Sequence, residues 1–175
     1  KLRGRGVGLC GIDGQMIHCG PLDERLGRVG VISSVDTTLI KNLLDLQYIP
    51  VIATVGMDDA GGAYNINADT AAARIAIALG AQKLVSMTDI AGLLRNKEDD
   101  ATLIQEVEIG EIEALKNEGI LSGGMIPKVE GMADAIRQGV HEAVILDGRI
   151  LHSVLLEFFS DRGSGTLFYD RAARG

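Results

Sequence analysis

A chain of 175 residues is long enough for one ordinary domain or for a large piece of a bigger protein. With 46% apolar residues and a mean hydropathy of +0.19 it can build a real core, which excludes a disordered chain. A formal charge of −7, no long basic run and 3% aromatics speak against a nucleic-acid partner, and no apolar run approaches the length of a membrane span.

The chain starts at Lys1 without a Met and passes directly into a glycine cluster, as the later portion of a longer protein would. Lys1, Arg3 and Arg5 read as a solvated basic end. Gly6, Gly8 and Gly11 fit the pattern G-x-G-x-x-G, but no apolar strand precedes them and Ile12-Asp13-Gly14-Gln15 is a turn signal rather than a helix start. The dinucleotide-binding reading is therefore rejected. Instead, two short strands turning at Asp13-Gly14 are expected, a β-hairpin near residues 7–19. Cys10 and Cys19, even with His18, are too few ligands for a metal, so free thiols and no metal site are expected.

Residues 28–35 read as a strand, with Asp36 placed to cap a helix carrying Leu39, Ile40, Leu43, Leu44 and Leu46 on its inner stripe. Residues 48–56 follow as one strand, with Pro50 confined to its start. A turn at residues 58–62 leads into Tyr64-Asn65-Ile66-Asn67-Ala68-Asp69-Thr70. Extended backbone there puts Asn65, Asn67 and Asp69 on one face, just before a helix that carries Ala71, Ile75, Ala78 and Leu79 and stops at Gly80. Two readings stand: amide donors and an acid arranged for a carboxylate ligand, or an Asn/Asp-rich turn that only caps the helix.

Residues 83–88 form a nearly continuous apolar strand of the kind buried on both faces. It ends in the loop at residues 89–94, on the sheet edge where α/β proteins bind ligands. Residues 95–101 are charged and loop-like, and residues 109–117 read as a short helix stopped by Gly119. Residues 120–124 then run into a helix with Pro127 and Lys128 in its first turn and Met132, Ala133 and Ile136 behind them. A lysine there opposes the helix dipole at a cost of about 0.3–1 kcal/mol when exposed. A solvated side chain tolerates that, and an adjacent polyphosphate would reverse its sign. Ala143 to Leu146 read as a buried strand turning at Asp147-Gly148, residues 152–159 as an amphipathic helix, and residues 163–169 as a last strand.

Strands alternate with helices and no repeat appears; aliphatic residues dominate and there are 23 glycines. The expected class is α/β, a three-layer αβα sandwich with a mostly parallel central sheet, as one domain over residues 1–175.

The runs at residues 64–69, 87–93 and 122–128, with residues 8–14 and Asp147-Gly148-Arg149, together resemble the amino acid kinase family in its acetylglutamate kinase branch. The likeness extends from about Val7 to Leu167. It implies the amino acid kinase fold, incomplete on the N-terminal side. It also implies transfer of the γ-phosphoryl group of ATP to the side-chain carboxylate of N-acetyl-L-glutamate, a step of arginine biosynthesis. On this resemblance Lys128 bridges the transferring phosphoryl group and Asp69 organises the catalytic lysines. Asn65 holds the substrate's α-carboxylate and acetamido end, and Asn67 supports Asp69, the two amides counting together as the substrate-binding pair. Asp89, Ile90, Ala91, Gly92, Leu93 and Leu94, with Ile120, Leu121 and Ser122, line the ATP site. Mg²⁺ accompanies the nucleotide. A homo-oligomer in the cytoplasm is expected, with neither nucleic acid nor membrane as partner. Glu157 and Gly163 match arginine-sensitive members and suggest an arginine effector site, although many of those carry a His where this chain has Val144. The family's Lys-Gly-Gly loop, second Gly-rich loop and substrate-clamping Arg have no counterpart here, so little kinase activity is expected of the 175 residues alone. Another kinase of the family, such as a carbamate or aspartate kinase, and a non-catalytic nucleotide-binding or regulatory module are the alternatives.

Overall fold

The glycine pattern at the start of the chain lies on an extended strand, β1 (Gly6–Cys10), followed by a short 3-10 turn at Asp13–Gln15 and no helix. The structure is a computed structural model, and it describes residues 4–96, 98–160 and 163–173. Lys1 and Arg3 of the basic end, and Lys97 of the charged loop, lie outside the described residues. Where the sequence suggests one domain, the chain divides into two compact units, Lys1–Leu79 and Gly80–Gly175.

In the first unit β1 is followed by β2 (Ile17–Pro21), β3 (Gly30–Val35), helix α1 (Thr38–Asp45), β4 (Ile49–Ala53), β5 (Val55–Met57), β6 (Ala63–Asn65) and helix α2 (Ala68–Leu79). The expected hairpin near residues 7–19 does not form. Strand β1 pairs in parallel with β4, whereas β2 pairs antiparallel with β3 and in parallel with β5. The turn at Asp13-Gly14 is present, with Gly14 at φ +59°. A turn signal fixes a local reversal, however, and the choice of partner is made by distant residues: the Gly11 N–H already donates to the Ala53 carbonyl at 3.1 Å. The single strand expected over residues 48–56 is two strands for the same reason. It breaks at Thr54, whose carbonyl leaves the ladder to accept from Ile66 N–H at 2.9 Å. Asp36 does cap α1, accepting from Thr38 N–H at 2.8 Å. Met16, Ile17, Cys19, Ile32, Ile40, Tyr64, Ile66 and Ala71 form the core of this unit. Of the two free cysteines, Cys19 is buried and Cys10 half-buried.

The second unit holds β7 (Lys83–Thr88), β8 (Glu106–Glu108), helices α3 (Ile112–Asn117) and α4 (Met125–Arg137), β9 (Glu142–Asp147), helix α5 (Ser153–Phe159) and β10 (Thr166–Tyr169). Its sheet has the order β7-β9-β10-β8. The buried strand is β9, in which Ala143, Val144, Ile145 and Leu146 are each 0% exposed; it pairs in parallel with β7 and antiparallel with β10. Strand β7, expected to be buried on both faces, is half-buried with Met87 exposed, because it lies at the edge of this sheet. Helix α4 contributes Val129, Met132, Ala133 and Ile136 to the core, which Phe168 of β10 completes. Helix α5 differs from the amphipathic expectation: Leu155, Leu156, Phe158 and Phe159 are all exposed. Among the described residues four of the seven strand pairings are parallel.

Candidate active site

The period-two pattern expected over residues 64–69 is realised in the first unit only as far as Asn67, because α2 begins at Ala68 and Asp69 is already helical. Tyr64 and Ile66 are buried, while Asn65, Asn67 and Asp69 are exposed. Asn65 closes β6, and its N–H donates to the Arg28 carbonyl at 2.8 Å. Asn67 acts as the cap of α2: its Oδ1 accepts from Thr70 N–H at 3.1 Å and from the Thr70 hydroxyl at 3.3 Å. Asp69 stands in the first turn of α2, where a carboxylate is favoured by the helix dipole.

The approach to this motif is held by Asp58. Its Oδ1 accepts from Gly62 N–H at 2.7 Å and from Ala60 N–H at 3.0 Å, and its Oδ2 accepts from the Tyr64 hydroxyl at 3.0 Å. The Gly62 amide first, then the Tyr64 hydroxyl, keep the Asp58 carboxyl below the usual carboxylate range. The Arg28 guanidinium lies over the Tyr64 ring, 5.2 Å from its centroid. No motif in the sequence marks Asp58 or Arg28; the only signal is an acid three residues ahead of Gly61, whose φ of +82° suits glycine.

In the second unit the loop at residues 89–94 leaves the C-terminal end of β7. Its first residue, Asp89, is exposed, and it is anchored at its far end by Leu93, 2% exposed. Leu93 N–H donates to the Thr166 hydroxyl at 2.9 Å, and that hydroxyl donates to the Ile104 carbonyl at 2.7 Å. Gly92 adopts φ +142°, and a Cβ there would meet Thr166 Oγ1 at 2.5 Å, so only glycine fits. Ile104 N–H returns to the Leu93 carbonyl at 2.8 Å. Ile90, Ala91 and Leu94 are half-buried. In the second loop Leu121 is 1% exposed and shares the core cluster of Leu93, with Ile120 packed against it. Ser122, half-buried, accepts from Met125 N–H at 3.3 Å through its carbonyl. Gly123 and Gly124 are exposed directly before α4.

Lys128 is the fourth residue of α4, with Pro127 ahead of it, as expected. Its Nζ donates to Ser86 Oγ on β7 at 3.1 Å, which ties the helix's first turn to the strand that feeds the 89–94 loop. Ser86 escaped the sequence reading because one hydroxyl inside an apolar strand reads as filler. Glu157 and Gly163 come together, but Glu157 is engaged. Its Oε1 is 3.3 Å from Lys83 Nζ, and its Oε2 accepts from Ser164 N–H at 3.1 Å.

The sequence profile of the amino acid kinase family matches residues 3–147. The chain belongs to that family. An acetylglutamate kinase of Actinobacillus pleuropneumoniae serotype 5b is 54% identical over 172 residues, covering 97% of this chain and 60% of that protein. The acetylglutamate kinase of Thermosynechococcus vestitus is 48% identical over 98% of this chain and 61% of its own length. This amino acid kinase chain therefore spans about three fifths of the length of the relatives it matches. Among solved structures, the N-acetylglutamate synthase of Neisseria gonorrhoeae, in complex with coenzyme A and L-arginine, matches with a TM-score of 0.83 at 26% identity, over 98% of this chain and 39% of that one. The carbamate kinase of Giardia lamblia bound to AMP-PNP shares the fold, with a TM-score of 0.62 at 19% identity over 81% of this chain and 47% of that one. The fold is α/β, the amino acid kinase fold with mostly parallel sheets.

Proposed function

We propose that this chain carries the nucleotide-binding part and part of the substrate site of an acetylglutamate kinase, which transfers the γ-phosphoryl group of ATP to the side-chain carboxylate of N-acetyl-L-glutamate. The observation that carries the proposal is Lys128. A cation in the first turn of a 13-residue helix, behind two exposed glycines, is held by the hydroxyl of a sheet strand. That placement is unfavourable for the helix by itself and favourable once phosphate oxygens adjoin it.

Phosphoryl transfer asks little covalent work of a protein; it asks for alignment of two anions and for charge on the equatorial oxygens to be compensated. Lys128 supplies that compensation, worth about 3–4 kcal/mol by analogy with oxyanion donors. The acceptor carboxylate is already a nucleophile, so no general base is needed, and Asp69 serves to orient cationic groups. Asn65 binds the acetylglutamate, and Asn67, while capping α2, keeps Asp69 in place. ATP lies on the loops at residues 89–94 and 120–122. Mg²⁺ enters with ATP as part of the substrate, its usual ligand. A guanidinium effector at Glu157 would compete with Lys83 for the same carboxylate oxygen.

The test is an ADP-release assay, with hydroxylamine trapping of any acyl phosphate, run on this chain joined to the N-terminal two fifths of the Actinobacillus relative. N-acetylglutamate is compared with carbamate, aspartate and uridylate as acceptors. Turnover confined to N-acetylglutamate supports the proposal. Turnover with another acceptor moves the chain to a different kinase of the family. ATP binding without turnover on any acceptor points to a non-catalytic module.

A further inference from the structure

Asp147-Gly148-Arg149 has no role in the reading above. Asp147 ends β9, Thr88 ends β7, and the two are register partners in a parallel ladder, so the segments leaving both strands start side by side. Gly148 N–H donates to the Thr88 carbonyl at 2.8 Å, clamping the turn after β9 to the root of the 89–94 loop. The Thr88 hydroxyl extends the clamp, accepting from Ile90 N–H at 3.2 Å and donating to the Ile90 carbonyl at 3.0 Å.

Asp147 is 5% exposed, and a carboxylate so far out of water needs a partner. Arg149 supplies it three times: Nε to Oδ1 at 2.9 Å, Nη2 to Oδ2 at 2.8 Å, and the backbone N–H to Oδ1 at 2.9 Å. This two-point grip fixes the plane of the guanidinium in a way that a lysine could not reproduce. The Arg149 side chain is nonetheless 67% exposed. Asp147 above all, and Asp89 and Asp100 through their charge, push its pKa up, and the Gly148 clamp on Thr88 sets the turn that carries it beside the root of the 89–94 loop.

We infer that Arg149 is a positioning residue of the nucleotide site: locked by Asp147 on a turn clamped to the root of the 89–94 loop, it holds the open end of that loop in the conformation that receives ATP. The inference rests on the nucleotide reading of that loop. Arg149 acts through the loop and does not touch the reacting phosphorus.

The experiment is calorimetric titration of the 175-residue chain with Mg²⁺ and AMP-PNP, together with amide hydrogen exchange. It compares wild type with Arg149→Ala, Arg149→Lys and Asp147→Asn. Arg149→Ala is expected to weaken binding about tenfold, the scale of a lost charge-assisted hydrogen bond, and to speed exchange at residues 89–94 while β9 and β10 stay protected. Arg149→Lys is expected to fall between the two, and Asp147→Asn to move in the same direction as the alanine variant. Wild type that binds no AMP-PNP overturns the nucleotide reading and this inference with it. Wild type that binds, with Arg149→Ala unchanged within about twofold, overturns the inference alone. So does faster exchange spread evenly through the second unit, which marks a structural role.

Discussion

At Lys128 the physical question is what a cation gains at the positive end of a helix. The ammonium donates to the Ser86 hydroxyl at 3.1 Å, which helps to hold the side chain over the strand that feeds the 89–94 loop. In the chain completed with a relative's N-terminal portion, Lys128→Ala should lower kcat about 10²–10³-fold with the KM values little changed, the pattern of a group used mainly in the transition state. Steady-state kinetics on both substrates checks this, and a loss confined to KM would point to plain binding. Asp58 makes a separate prediction. Its folded pKa lies below the ordinary value of about 3.9, so its stabilising effect is present above that pH and is lost as pH falls through the lower folded value. Wild type should therefore exceed Asp58→Asn in stability at neutral pH, and the gap should close in acid below about pH 4. Urea unfolding across pH 2–7 measures it; a gap that stays constant would show that Asp58 acts by shape and not by charge.

Elements show where the sequence was legible and where it was not. The motif at residues 64–69 could be read in part because its information is local: Tyr64 and Ile66 go in, Asn65 and Asn67 come out, and a helix with Asp69 in its first turn follows. The first turn of α4 was equally local, with Pro127 and Lys128 where expected. Pairing was not legible. Nothing near β1 says that Gly6 will sit opposite Ile49, and nothing near Thr54 says that its carbonyl will serve Ile66. Strand β8 escaped notice because it has three residues, of which only Val107 is buried. The anchor of the 89–94 loop was invisible for the same reason, since Thr166 lies 73 residues beyond Leu93. That anchor can be tested. Thr166→Val keeps the shape but leaves Leu93 N–H and the Ile104 carbonyl without their partner, each such loss costing about 1–3 kcal/mol when buried. Denaturant unfolding should show destabilisation on that scale, and AMP-PNP affinity should fall with it. Full retention of both would remove Thr166 from the loop's support.

For the molecule as a whole, the proposed reaction turns on how many cations face the transferring phosphoryl group. The Actinobacillus relative is matched over 97% of this chain but only 60% of its own length. By family resemblance, the Lys-Gly-Gly loop and the arginine that clamps the acceptor lie in the portion of relatives that these 175 residues do not match. On the proposed reading, the residues present supply Lys128, the loops for ATP and the amides for N-acetylglutamate, and a second positive group for transfer between two anions comes from the portion of relatives that they do not match. The 175-residue chain, assayed alone with Mg²⁺, ATP and N-acetylglutamate, should bind AMP-PNP in a calorimeter and form no acyl hydroxamate above background. Supplied with the N-terminal two fifths of the Actinobacillus relative, it should form the hydroxamate, and Lys128→Ala should abolish most of that gain. Turnover by the chain alone would mean that Lys128 and Asp69 suffice without the portion of relatives that these residues do not match.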